Sequence, residues 1–129
     1  MRLKLIALGQ NQPGWVTDGV SEYAKRFPSE WPFELAELKP EKRAANRSTE
    51  MVLATEAERI RAQIPRQALT IALDERGEQL TTRALSERLA LWSREAPCAT
   101  FLIGSADGLD AALKSGAHAQ IGLSRLTLP

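Results

Sequence analysis

The chain has 129 residues, 43% hydrophobic and 26% charged, with a formal net charge of +1 at pH 7. That length and balance suit a single domain spanning residues 1–129, able to bury most of its apolar surface, and they argue against disorder. No apolar run approaches the roughly 18 residues of a transmembrane helix, and one cysteine with one histidine supplies neither an intramolecular disulfide nor a zinc set. The start, Met1-Arg2-Leu3-Lys4-Leu5-Ile6, interleaves charge with apolar residues and lacks the apolar core of a signal peptide. The expectation is a cytoplasmic, metal-free domain.

Strand and helix patterns alternate along the chain without a linker or repeat. Residues 2–8 read as a strand, and Gln10 to Gly14 as a turn around Pro13-Gly14. Val16, Val20, Tyr23, Ala24 and Phe27 then follow the spacing of one helix face, stopped by Pro28 and Pro32. Phe33 to Leu38 is a short strand candidate. Ser48 is a reasonable N-cap for a helix whose buried face is Leu53, Ala57, Ile60 and Ile64, and which ends at Pro65. Leu69 to Leu73 is apolar enough to be a central strand. A helix after Thr81 or Thr82 carries Leu85, Leu89 and Trp92 on one stripe; Thr100 to Ile103 is another buried strand. Leu109 to Gly116 makes a shorter helix, and Gln120 to Leu123 a last strand. This alternation predicts an α/β domain with a mostly parallel sheet flanked by helices, because parallel neighbours need crossover connections.

Three segments follow strands and would lie at the carboxyl edge of such a sheet, where ligand crevices form. They are Leu73-Asp74-Glu75-Arg76-Gly77, Leu102-Ile103-Gly104-Ser105-Ala106-Asp107-Gly108, and Leu123-Ser124-Arg125-Leu126-Thr127-Leu128-Pro129. Gly104 would let a ligand approach the backbone without meeting a Cβ, and Gly108 would relieve the turn into the next helix. Leu73 with Leu126 or Leu128 could wall a flat ring, a pocket suited to an adenine-containing ligand. The plainer alternative is that these glycines only make turns. Other chemistries are poorly supported. There is no P-loop motif, and Asp74 lacks the acidic pair that a phosphoacceptor needs near the first strand. His118, the only histidine, lies between two alanines near a helix end and is read as non-catalytic, and Cys98 has no basic neighbour to activate it. Lys39, Lys42, Arg43 and Arg47 form a local basic run against the single acid Glu41, read either as a solvated loop or as a phosphate-contacting surface.

At these positions the chain resembles the RlmH (YbeA) family, SPOUT-class methyltransferases that act from S-adenosylmethionine on N3 of a pseudouridine in 23S ribosomal RNA. The resemblance runs over essentially the whole chain. It is carried by Glu22-Tyr23-Ala24-Lys25-Arg26-Phe27, Lys42-Arg43, Leu73-Asp74-Glu75-Arg76-Gly77, Leu102-Ile103-Gly104, Gly108-Leu109 and the closing Leu123 to Pro129. It implies a SPOUT-like fold of the α/β-knot superfamily and an S-adenosylmethionine site at Leu73, Gly104, Leu123, Ser124, Arg125, Leu126, Thr127 and Leu128. It also implies a homodimer, and an RNA surface that needs the assembled ribosomal subunit, which raises Lys42, Arg43 and Arg47 as phosphate contacts.

The family's second loop usually reads Ile-Gly-Gly-Pro-Glu-Gly where this chain has Ile103-Gly104-Ser105-Ala106-Asp107-Gly108, so altered cofactor affinity is expected. Asp107 is expected to serve the turn or the start of the following helix. The family's chains continue past Leu-Thr-Leu-Pro into a further helix and a basic, aromatic tail that completes the knot, much of the dimer contact and the catalytic end. For a chain ending at Pro129 the expectation is an incomplete knot, exposed apolar surface and a doubtful dimer, and no catalytic residue is assigned to any position. The alternative function is a non-catalytic α/β module with weak or no cofactor binding.

Overall fold

The computed structural model describes residues 1–126. Thr127 and Leu128, two of the expected cofactor positions, lie outside the described residues. The elements are β1 (Arg2–Leu8), α1 (Gly14–Ala24), β2 (Phe33–Leu38), α2 (Thr49–Gln63), β3 (Leu69–Gln79), α3 (Thr82–Glu95), β4 (Cys98–Ile103), α4 (Ala111–Ser115) and β5 (Ala119–Gly122). They build one five-stranded sheet in the order β2-β1-β4-β3-β5, and every pairing is parallel. The chain leaves β1 toward β2 on one side and leaves β4 toward β5 on the other. Adjacent strands whose connections diverge in this way open a crevice at their carboxyl ends.

Strand alternation sorts the apolar residues onto two faces. On one face Ile6, Leu8, Ala72 and Leu102 meet Ala57 and Ile60 of α2, together with Leu109 and Leu113 at α4. On the other, Leu3, Ile71, Ala99 and Ile121 pack around Trp92 of α3. Full burial of a side chain such as Ile6, Ile60, Ile71 or Leu102 contributes roughly 1.5–3 kcal/mol. The helix starts are fixed as their sequences suggest. Ser48 Oγ accepts from the Met51 N–H at 3.2 Å, Thr81 Oγ1 from Ala84 at 3.0 Å and Asp110 Oδ2 from Leu113 at 3.1 Å. Lys4 is buried because its Nζ donates to the Gln63 carbonyl, 2.8 Å away at the end of α2, where a cation also complements the helix dipole. Among the described residues no helix is long and apolar enough to cross a membrane.

Three expectations need correction. The apolar stripe predicted on the first helix does not reach the core: α1 has no buried residue, and Tyr23 is 66% exposed. The helix stands off β1 and β2 across an apolar cleft of about 510 Å³ lined by Leu5, Ala7, Val16, Val20, Leu35 and Ile103. It also ends at Ala24; Phe27, beyond it, stacks on Phe33 with ring centroids 4.9 Å apart. On α2 the buried stripe is Val52, Glu56, Ala57 and Ile60, while Leu53 and Ile64 are only partly buried. Finally, β3 does not stop at Leu73. Leu73 and Glu78 both pair with Ile121, so the register shifts across residues 74–77, an irregularity within a strand that runs on to Gln79. Gly77 makes this possible, since a Cβ there would come within 2.5 Å of the Ile121 carbonyl carbon.

Candidate active site

The carboxyl ends of β3, β4 and β5 carry two adjoining clefts. One, of about 260 Å³, is apolar: Leu73, Ile103, Ile121, Leu123 and Leu126 line it, with Ser124, Asp74 and Glu75 at its edge. The other, of about 500 Å³, is lined by the same Leu73, Asp74, Glu75 and Ile103 and continues over Arg76, Lys114 and the whole 104–108 loop. The α1 cleft meets them at Ile103 and Gly104. Of the expected cofactor residues, Leu73, Leu123, Ser124 and Leu126 come together around the apolar cleft, and Gly104 borders the polar one. Arg125 lines neither; its Nε donates to Gln79 Oε1 at 3.2 Å. Leu123 and Leu126 are 76% and 84% exposed, so the apolar cleft opens to solvent on that side.

Gly104 has a packing reason to be glycine, beside the expected ligand approach. The space a Cβ would occupy is filled by the Gly108 carbonyl group, with the Leu109 nitrogen 2.8 Å away. The loop closes on itself through Gly108 N–H to Ser105 C=O at 2.8 Å, with Gly108 at φ +84°, a conformation that favours glycine. Asp74, at the end of the first half of β3, accepts from the Arg76 N–H at 3.1 Å and lies 3.5 Å from Lys114 Nζ.

The basic segment folds back onto this loop rather than facing solvent alone. Arg43 Nη2 donates to Ser105 Oγ at 2.8 Å and lies 3.0 Å from Asp107 Oδ2; Nη1 donates to the Glu41 carbonyl at 2.8 Å and to Glu56 Oε2 at 3.3 Å. The hydrogen bond to Asp107 chiefly, with the Glu56 charge adding, holds the Arg43 pKa above its ordinary value. Arg47 is likewise engaged, donating to Thr55 Oγ1 at 2.9 Å and lying 3.4 Å from Glu41 Oε2. Two of the three residues expected to contact phosphate thus have partners inside the molecule. Lys42 is exposed, and among the described residues only its backbone N–H is bound, to the Glu41 side chain at 2.9 Å. Asp107 lies in the Ser105–Gly108 turn, one of the two places expected for it, and is also an ion-pair partner of Arg43, while Asp110 caps α4.

Glu56 is the residue that sequence reasoning missed. It is 1% exposed, and its carboxylate accepts from Ser105 Oγ at 2.7 Å, from the Glu41 N–H at 2.9 Å and from Arg43. A buried charge requires such partners. The available signal was its position, four residues after Val52 and four before Ile60, a carboxylate on the apolar stripe of a helix.

An all-parallel five-stranded sheet flanked by helices, with clefts at the strand ends, is an open α/β architecture. More specifically, residues 1–129 match the family model described as "Predicted SPOUT methyltransferase". The chain is 49% identical over 129 residues to the ribosomal RNA large subunit methyltransferase H of Ralstonia nicotianae, 50% to that of Ralstonia pickettii and 46% to that of Burkholderia thailandensis. Each match covers 100% of this chain and 83% of the relative. The chain belongs to the SPOUT methyltransferase family, enzymes that draw on a methyl-donor cofactor.

Proposed function

We propose that this enzyme transfers a methyl group from S-adenosylmethionine to N3 of a pseudouridine in the large-subunit ribosomal RNA. One observation carries the reading of the site: an apolar cleft and a carboxylate-bearing cleft share Leu73, Asp74, Glu75 and Ile103. The proposed donor has matching parts, a flat apolar-faced ring at one end and positive charge on its sulfur and amino group at the other. Leu73, Leu123 and Leu126 offer walls for the ring. Asp74 and Glu75 offer negative charge to the other end, and the loop from Gly104 bounds it. Ser124, Thr127 and Leu128 belong to the same proposed binding segment. When bound, the donor supplies an electrophilic methyl group.

The protein's contribution is orientation and exclusion of water, which supply much of the rate enhancement in such a transfer. The ribosomal RNA acceptor is supported by the names of the similar enzymes. Lys42 is the proposed phosphate contact: among the described residues it and Lys39 are the exposed cations of the basic segment whose side chains have no partner, and of the two Lys42 is the one the family resemblance points to. Assembly as a homodimer and action in the cytoplasm rest on the family resemblance alone.

Calorimetric titration with S-adenosylmethionine, followed by transfer of labelled methyl groups to ribosomes, tests the proposal. Saturable binding and label in large-subunit RNA are expected. A folded sample that neither binds the donor nor labels ribosomes would leave the reading of a non-catalytic module.

A further inference from the structure

We infer that Arg43 is a positioning residue for this reaction: seated on the buried Glu56, it holds the 104–108 loop in the shape of the cleft wall, a role that rests on the cofactor site proposed above. Arg43 does not itself line the cleft, whereas Gly104, Ser105, Ala106, Asp107 and Gly108 all do. The loop lies between β4 and α4 and is closed on itself by the short Ser105–Gly108 pairing. The remaining side-chain ties run outward. Asp107 binds the Nε and Nη2 of Arg43 at 3.1 and 3.0 Å, and Ser105 binds Nη2 at 2.8 Å and Glu56 Oε1 at 2.7 Å.

Glu56 is what makes these ties stiff. It stands on α2 between Val52 and Ile60, both buried, and a carboxylate with 1% exposure cannot exchange its partners for water. Its Oε2 fixes Nη1 of the guanidinium, leaving the other two nitrogens aimed at the loop. Three nitrogens in one rigid plane reach three separate side chains and a carbonyl; a lysine ammonium, a single point, cannot span them. A binding wall held in place before the ligand arrives costs less ordering on binding, so its support is read as affinity.

The test measures S-adenosylmethionine affinity, thermal midpoint and amide hydrogen exchange for the whole chain and for Arg43→Lys, Asp107→Asn and the double variant. Asp107→Asn leaves the Arg43–Glu56 pair intact, so unfolding cannot account for its effect. Each single variant is expected to weaken binding about tenfold and to speed exchange at the Gly108 amide, with a small change in midpoint. The double variant is expected to be no weaker than the worse single one, because both act through the same contact. Unchanged affinity in Arg43→Lys, additive losses in the double variant, or unchanged exchange at Gly108 would each overturn the positioning role. Failure of the unaltered chain to bind the donor would instead refute the cofactor site, while Gly108 exchange would still report whether Arg43 holds the loop.

Discussion

Replacing Gly104 by alanine separates two reasons for a glycine at the end of β4. If the residue is there to let a ligand approach the backbone, an added methyl group abolishes binding and leaves the fold alone. The structure puts the methyl group elsewhere, into the Gly108 carbonyl and 2.8 Å from the Leu109 nitrogen. Both obstacles are backbone, so no side-chain rotation relieves them, and ordinary carbon contacts require a retreat on the order of 1 Å. The loop cannot simply swing outward, because Leu109 and Leu113 behind it are buried at 4% and 6% exposure. Overpacking against such a backbone costs about 3 kcal/mol. For a chain of this size that is a fall of roughly 12 °C in the midpoint, taking about 4 °C per kcal/mol. Circular dichroism melting and calorimetric titration on Gly104→Ala are expected to show the lower midpoint together with weaker donor binding. Loss of binding with a midpoint within about 2 °C of the unaltered protein would refute the packing argument and restore ligand approach as the reason for the glycine.

Glu56→Leu leaves the Glu41 N–H, the Ser105 hydroxyl and Arg43 without their buried acceptor and is expected to cost about 3 kcal/mol by urea unfolding, against about 1 kcal/mol for Glu56→Gln, which keeps an acceptor. Equal losses for the two would show that the hydrogen bonds are not what matters there. Lys42→Glu is expected to leave the midpoint and donor affinity unchanged while weakening methylation of ribosomes and lowering its salt dependence by about one counterion; full activity on ribosomes would remove Lys42 from the RNA surface. The Glu41 carboxyl is held below its ordinary value of 4.5, chiefly by the Lys42 N–H, with Arg47 and Arg59 adding. A depressed folded-state pKa stabilises the fold above the unfolded pKa, and that stabilisation is lost as pH falls through the folded value. Between about pH 5 and pH 3 the midpoint of Glu41→Gln is therefore expected to fall less than that of the unaltered protein, by a small margin because the group is solvent-screened. Parallel curves would show that Glu41 carries no such linkage.

The order of elements and the parallel sheet were legible because most strands carry a short apolar run and α2 and α3 each have a cap written at their start. Ser48 and Thr81 are local signals, and the structure uses both. What failed was anything set by distant backbone. The register break in β3 depends on Gly77 lying against Ile121 and Gly122, more than forty residues downstream. The helical spacing of Val16, Val20 and Tyr23 was real, but periodicity tells only which residues share a face. It does not tell whether another surface comes close enough to bury that face, and here a cleft intervenes.

The site shows the same division, with a sharper consequence for charge. Leu73, Leu123 and Leu126 converge because Leu73 lies in β3 just before its register break while Leu123 and Leu126 follow β5, the strand β3 pairs with. The engagement of Arg43 was not legible because within its own segment Glu41 is the single acid, whereas its partners Glu56, Ser105 and Asp107 lie 13, 62 and 64 residues away. A run of cations gains an RNA-facing role only if the fold does not return carboxylates to it. In this chain it returns two to Arg43 and uses Glu41 on both Arg47 and Arg59. The basic segment is thus first a strap between α2 and the cleft loop. Its exposed Lys39 and Lys42 are where charge remains to meet a phosphate, so a substitution at Lys42 and one at Arg43 should separate RNA engagement from donor binding although the two residues are adjacent.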